Sequence, residues 1–119
     1  MTDREKFKKR MIKMLKLSDL TIDPKSLGSK LLLVDVVPVY EYSDGKRTDN
    51  LTGFRYIVAL PEKAFEKIGV KIEGPQLLEK PDGFVEVVFD GLEIYAYLAN
   101  GQIQIGARAK GVHKVQVKP

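Results

Sequence analysis

Tyr95 and Tyr97 stand two residues apart in a run of alternating character, and Arg108 and Lys110 follow within a strand's length of the next turn. Rings and cations so arranged suit a single-stranded nucleic acid, because aromatic faces stack on bases for roughly 1 to 3 kcal/mol each while basic side chains track the phosphates. A second group of the same residue types comes earlier, with Tyr42, Lys46, Arg47, Arg55 and Tyr56, and with Tyr40 and Phe54 as further aromatic candidates. Each has a plainer alternative. Tyrosine and phenylalanine in strands commonly pack a core or cover a rim. Lys46 and Arg47 also suit a solvated loop, and Arg108 suits a cross-strand pair with Glu93.

Other chemistries lack the residues they need. The chain has no cysteine and a single histidine, His113, so thiolate and imidazole zinc sites, cysteine nucleophiles and Ser-His-Asp triads have almost nothing to be built from. Asp35, Glu41, Asp44 and Asp49 lie along one edge rather than converging, which argues against a carboxylate-only metal hydrolase. The glycines punctuate turns and form neither GxxxxGK[ST] nor GxGxxG. The expectation is a protein that is not an enzyme, with no catalytic residue, metal or cofactor.

The elements that would position the aromatic and basic residues are mostly strands. Asp90-Gly91 and Asn100-Gly101 are the dipeptides of two-residue hairpin turns, and they predict a three-stranded meander. Pairing Phe89 with Leu92 would set Val87 against Ile94 and Val85 against Ala96. Pairing Ala99 with Gln102 sets Leu98 against Ile103, Ala96 against Ile105 and Ile94 against Ala107, so one face is wholly apolar. The other face collects Phe84, Glu86, Val88, Glu93, Tyr95, Tyr97, Gln102, Gln104 and Arg108, with Glu93 opposite Arg108 and Tyr97 opposite Gln104. Upstream, Leu31 to Tyr42 reads as a long strand in which Pro38 demands an edge position or a bulge. The polar stretch Ser43 to Asn50 reads as a mobile loop with Lys46 and Arg47 at its tip, and Thr52 to Leu60 as the second strand. Pro61 to Ile68 reads as a two-turn helix stopped by Gly69, Val70 to Ile72 as a brief strand, and Gly74 to Gly83 as a loop. His113, Lys114 and Lys118 read as a frayed tail.

At the N-terminus, Phe7, Met11, Met14, Leu15 and Leu17 recur at helical spacing with basic residues on the remaining faces. The expected organisation is a basic amphipathic helix over residues 1–20, a connector over 21–29, and a mainly β body over 30–119 shaped as a small closed or partly closed barrel. The five-stranded OB-fold is the best-known small barrel of this kind. A chain of 119 residues suffices for one core without disulfides, burying roughly two thirds of its unfolded surface. Net charge is +4. Residues 1–17 hold seven bases and two acids, whereas the remainder holds thirteen bases and fourteen acids, so attraction to a polyanion would come from the N-terminal segment and local patches. The longest apolar stretch, Leu31 to Tyr40, is broken by Asp35 and Pro38 and is half a membrane span. The N-terminus lacks the apolar centre of a secretory signal. A cytoplasmic protein without membrane contact is expected.

The run Val39-Tyr40-Glu41-Tyr42 with Asp44-Gly45-Lys46, then Thr52 to Val58 with Leu60-Pro61, Phe65-Glu66-Lys67 and Val70 to Gly74, followed by Val87 to Leu92 and Ala107 to Val112, resembles small proteins of Gram-positive conjugative plasmids, integrative elements and phages. The resemblance covers residues 31–115 and rests on aromatics, glycines and strand spacing. It implies an OB-fold-like, single-strand DNA-binding or helicase-accessory protein of element transfer and replication. Single-stranded DNA would then be the ligand, with a helicase, relaxase or other replication protein as partner. The N-terminal helix lies outside the resemblance, and its apolar stripe would pack on the barrel or mediate self-association. The competing expectation is a protein-protein adaptor in such a complex that does not touch nucleic acid.

Overall fold

The computed structural model describes Leu20 and residues 22–115. The expected N-terminal helix lies outside these residues. A 3-10 turn at Pro24–Leu27, capped by the Asp23 side chain on the Lys25 N–H, leads into seven strands: β1 (Leu31–Ser43), β2 (Lys46–Leu60), β3 (Glu66–Glu73), β4 (Val85–Asp90), β5 (Glu93–Ala99), β6 (Gln102–Arg108) and β7 (Gly111–Lys114). They form one sheet in the order β5-β6-β3-β2-β1-β4-β7, antiparallel throughout except where β3 meets β6. The protein is mainly β. No helix among the described residues is long and apolar enough to cross a membrane.

β1 and β2 join through Asp44-Gly45, both at positive φ (53° and 75°), the backbone a two-residue type I′ turn requires. The polar residues 46–50 therefore belong to β2 and not to an eight-residue loop. Lys46 and Arg47 pair with Ser43 and Tyr42, and in the irregular stretch that follows the Thr48 hydroxyl donates to the Glu41 carbonyl and accepts the Asn50 N–H, while the side chains stay mostly exposed. β1 meets β4 only over Leu31–Leu33, so Pro38 occupies a stretch of strand with one unpaired side, as its missing N–H demands.

The expected two-turn helix after Pro61 is instead a single 3-10 turn, Pro61–Lys63. Ala64 and Phe65 follow in left-handed backbone (φ 55° and 62°), which ends any helix and reverses the chain. β3 then starts at Glu66 and pairs with the whole inner half of β2, from Leu60↔Glu66 to Gly53↔Glu73. Ile68, Val70 and Ile72 alternate inward along it, a period of two that prevails over the proline and glycine punctuation. Nearby, the Ser29 N–H and hydroxyl both donate to Glu62, the hydroxyl at 2.9 Å. These donors hold the Glu62 carboxyl below its usual range.

The second hairpin departs from the expected meander. Asn100 and Gly101 both have positive φ (51° and 74°) and make the turn between β5 and β6, with every predicted pair from Ala99↔Gln102 to Glu93↔Arg108 in place. At Asp90-Gly91 only the glycine has positive φ (64°), so no type I′ turn forms and Phe89 does not pair with Leu92. The chain bends there, and β4 pairs with β1 and β7. A matching bend at Ala109-Lys110, fixed by Lys110 N–H donating to the Asp90 carbonyl at 2.8 Å, separates β6 from β7. His113 and Lys114 are thus paired strand residues rather than a frayed end. Phe84, Glu86 and Val88 are carried away from the tyrosines with β4.

β4–β5 and β6–β7 are therefore the two arms of one bent ribbon, whose inner half touches β1 through β4 and whose outer half touches β3 through β6. The expected barrel is not closed, because the bends turn the ribbon between the two sides of the β1–β2–β3 unit and leave β5 and β7 as sheet edges. The concave side still encloses one core, to which all seven strands contribute: Leu33, Tyr56, Val58, Leu60, Val70, Ile72, Val87, Phe89, Ile94, Ala107 and Val112. The apolar face of β5–β6 is only half used. Ile94 and Ala107 are buried, whereas Leu98, Ile103 and Ile105 are 66%, 65% and 58% exposed.

Candidate functional site

Strand pairing assembles a site on the convex side of the sheet. Arg108 of β6 lies opposite Glu93 of β5 and, across the parallel junction, opposite Lys71 of β3, which in turn faces Arg55 of β2. Directly paired residues point to the same side of a sheet, and neighbouring strands are about 4.8 Å apart. Arg108, Lys71 and Arg55 thus form a transverse row of three cations on three adjacent strands. Among the described residues, neither Arg55 nor Lys71 has an ion-pair partner within 4 Å.

Beside this row lies a floor without side chains. Tyr95 pairs with Gly106, and its ring lies so close over that glycine that a β-carbon there would sit 2.5 Å from the ring edge. Gly69 is covered in the same way by the stem of Arg55, which a β-carbon would meet at 2.5 Å. Both glycines have ordinary backbone, so the reason for glycine is space. The result is a cleft of about 390 Å³ with Arg55, Lys71, Tyr95 and Tyr97 around Gly69 and Gly106. A second depression of about 530 Å³ continues it past Tyr95 and Lys71 to Arg108, Lys110 and Glu73. The two tyrosine rings are 6.0 Å apart and tilted by 43°.

Arg108 is partly committed already. Its Nε donates to Glu93 at 2.8 Å and its guanidinium lies 5.1 Å from the Tyr95 ring centre. The carboxylate raises the guanidinium further above its already high range. Both partners are exposed, so the pair orients the side chain more than it stabilises the fold, and Arg108 braces Tyr95 through a cation–π contact.

Of the residues singled out from sequence, Arg55, Tyr95, Tyr97, Arg108 and Lys110 come together in these two depressions. Tyr42 and Arg47 line a smaller one of about 180 Å³ toward the β1–β2 turn, linked to the first by Arg55. There the Arg47 guanidinium sits 4.3 Å over the Tyr40 ring, and Lys46 pairs with Ser43 at the turn itself. Tyr56 does not join them. It is fully buried, and its hydroxyl accepts the Leu77 N–H at 2.8 Å. Lys71, Gly69 and Gly106 escaped the sequence reading. The alternation Val70-Lys71-Ile72 marks Lys71 as outward-facing, but only the β3–β6 junction brings it to Arg108.

Gly106→Ala tests this geometry. The backbone tolerates alanine and the obstructed atoms belong to the far end of a side chain, so stability should change by no more than about 0.5 kcal/mol. Tyr95 must lift from the sheet. In the parent protein the Gly106 α-protons are expected to show an upfield ring-current shift, and in the variant the contacts between the Tyr95 ring and position 106 should disappear from the NMR spectrum while urea melts superimpose.

No protein family, curated protein or solved structure matches the chain at a significant level.

Proposed function

We propose that this chain is a cytoplasmic accessory protein of mobile-element replication or conjugative transfer that binds single-stranded DNA along the convex cleft, on an open, OB-like arrangement of strands. The observation that carries the reading is the row Arg55, Lys71, Arg108 beside Tyr95 and Tyr97 over a glycine floor. Bases would stack on the exposed ring faces while the cations follow the phosphates. A duplex hides its base faces and gains little from such a surface. The OB-like element of the proposal draws on the connectivity: a three-stranded antiparallel unit is followed by a ribbon that returns antiparallel to its first strand and parallel to its third. Resemblance to proteins of Gram-positive conjugative elements and phages suggests the setting, with a helicase, relaxase or other replication protein as partner.

The adaptor reading draws on a different observation. Glu73 and Glu93 lie within reach of the same cations, and residues 18–119 carry one more acid than base, so the surface also suits a protein carrying mixed charge. Fluorescence anisotropy of labelled single- and double-stranded oligonucleotides at two salt concentrations separates the two. Neutralising three phosphates of a single strand predicts a slope of log affinity against log salt of about −2. Single-strand preference with that slope is the expected result. Absence of binding at low salt would overturn the nucleic-acid reading and leave the adaptor.

A further inference from the structure

On the concave side of the β5–β6 hairpin, Leu98, Ile103 and Ile105 form an apolar patch continuous with the core residues Ile94 and Ala107. It covers on the order of a few hundred Å², the size at which a soluble chain normally hides or uses such a surface. Nothing among the described residues covers it.

The course of the chain at its described start indicates the occupant. Ile22 donates its N–H to the Ile94 carbonyl at 3.2 Å and forms an antiparallel bridge with it on the free edge of β5. Because the bridge is antiparallel, the residues preceding Ile22 run toward the C-terminal end of β5, where Leu98 is exposed. Leu98 lies four residues beyond Ile94, about 14 Å along the strand, and the five residues separating Leu17 from Ile22 span up to about 17 Å. Leu17 and the apolar positions before it are therefore within reach. Those positions, Phe7, Met11, Met14 and Leu15, share one stripe at helical spacing, with basic residues on the other faces.

We propose that residues 7–17 of the same chain seat this apolar stripe on the Leu98–Ile103–Ile105 patch and cap the open end of the sheet. Docking within one chain needs no second molecule, because the Ile22–Ile94 bridge holds the segment at high effective concentration. The methionines suit the task, since their flexible side chains adapt to a shallow surface. The patch belongs to the face of the hairpin opposite Tyr95 and Tyr97, with Ile105 also lining their cleft.

The chain contains no cysteine, so Ile103→Cys in the full-length protein places a single reporter thiol within the patch. Maleimide labelling there should be at least about tenfold slower than at Lys46→Cys, an exposed control, and equally slow at low and high protein concentration. Adding Met11→Asp and Leu15→Asp should restore the fast rate. Ile105→Cys repeats the measurement should position 103 tolerate the change poorly. Labelling of the Ile103→Cys protein at the control rate would overturn the proposal. So would protection that grows with protein concentration, which would assign the patch to a second copy, or protection that survives the aspartates.

Discussion

Tyr56→Ala is expected to lower unfolding stability by about 3 to 5 kcal/mol, the range for deleting a large buried aromatic ring. Tyr56 is fully buried in β2, which lies between β1 and β3, so the cavity would open where three strands meet and could not collapse without moving the sheet. The hydroxyl adds a second role. By accepting the Leu77 N–H it ties down the segment between β3 and β4, whose Leu78 packs against the core. Against a total stability of about 5 to 15 kcal/mol, the alanine variant should populate the unfolded state measurably, seen as a urea midpoint shifted strongly downward at an unchanged m-value. Tyr56→Phe separates the two roles. Leu77 is 45% exposed, so water can replace the lost acceptor, and the cost should lie near the low end of about 0.5 to 1.5 kcal/mol. A loss below about 1 kcal/mol for Tyr56→Ala would show that the interior is not packed around this ring.

Tyr56 also shows where sequence reasoning stops. It has the same residue type as Tyr95 and sits beside Arg55, yet one side chain faces the core and the other the cleft. For β5 and β6 the facing direction was legible because Asn100-Gly101 sets a local register that carries every pair up to Glu93↔Arg108. The equivalent inference from Asp90-Gly91 failed on a single dihedral angle: Gly91 has positive φ and Asp90 does not, so the same dipeptide makes a bend. Residues 46–50 looked like a loop because their side chains are mostly solvated and show no apolar alternation, although their backbone is fully strand. Lys71 was invisible for a topological reason. A parallel junction between β3 and β6 connects segments separated by two whole strands and the segments that link them, and no short dipeptide marks it. The candidate site was therefore legible in its aromatic half and in Arg108, while the cation row emerged only from the non-local pairing of β3.

That division of the site into aromatic and cationic halves yields the last expected result. Tyr95→Ala with Tyr97→Ala should weaken single-stranded oligonucleotide binding by at least about 2 kcal/mol, roughly thirtyfold, if each ring stacks one base at about 1 to 3 kcal/mol. The sum will not be simply additive. The rings lie 6.0 Å apart and Arg108 rests against Tyr95, so removing Tyr95 also frees a cation, and coupled neighbours violate additivity. The salt slope discriminates the mechanisms. Stacking is neutral, so the double tyrosine variant should lose affinity at every salt concentration while keeping its slope. Arg55→Gln or Lys71→Gln should each reduce the slope by about 0.7, the contribution of one phosphate on a single strand, and lose most of its effect at high salt. Unchanged affinity in the tyrosine variant with the full slope retained would move the contacts to the far end of the β1–β2 hairpin, where Tyr42 is 69% exposed beside Arg47. The Arg55 variant tests that outcome as well, because Arg55 lines both depressions, and a base that follows phosphates from either end of the cleft must contribute to the slope in both cases.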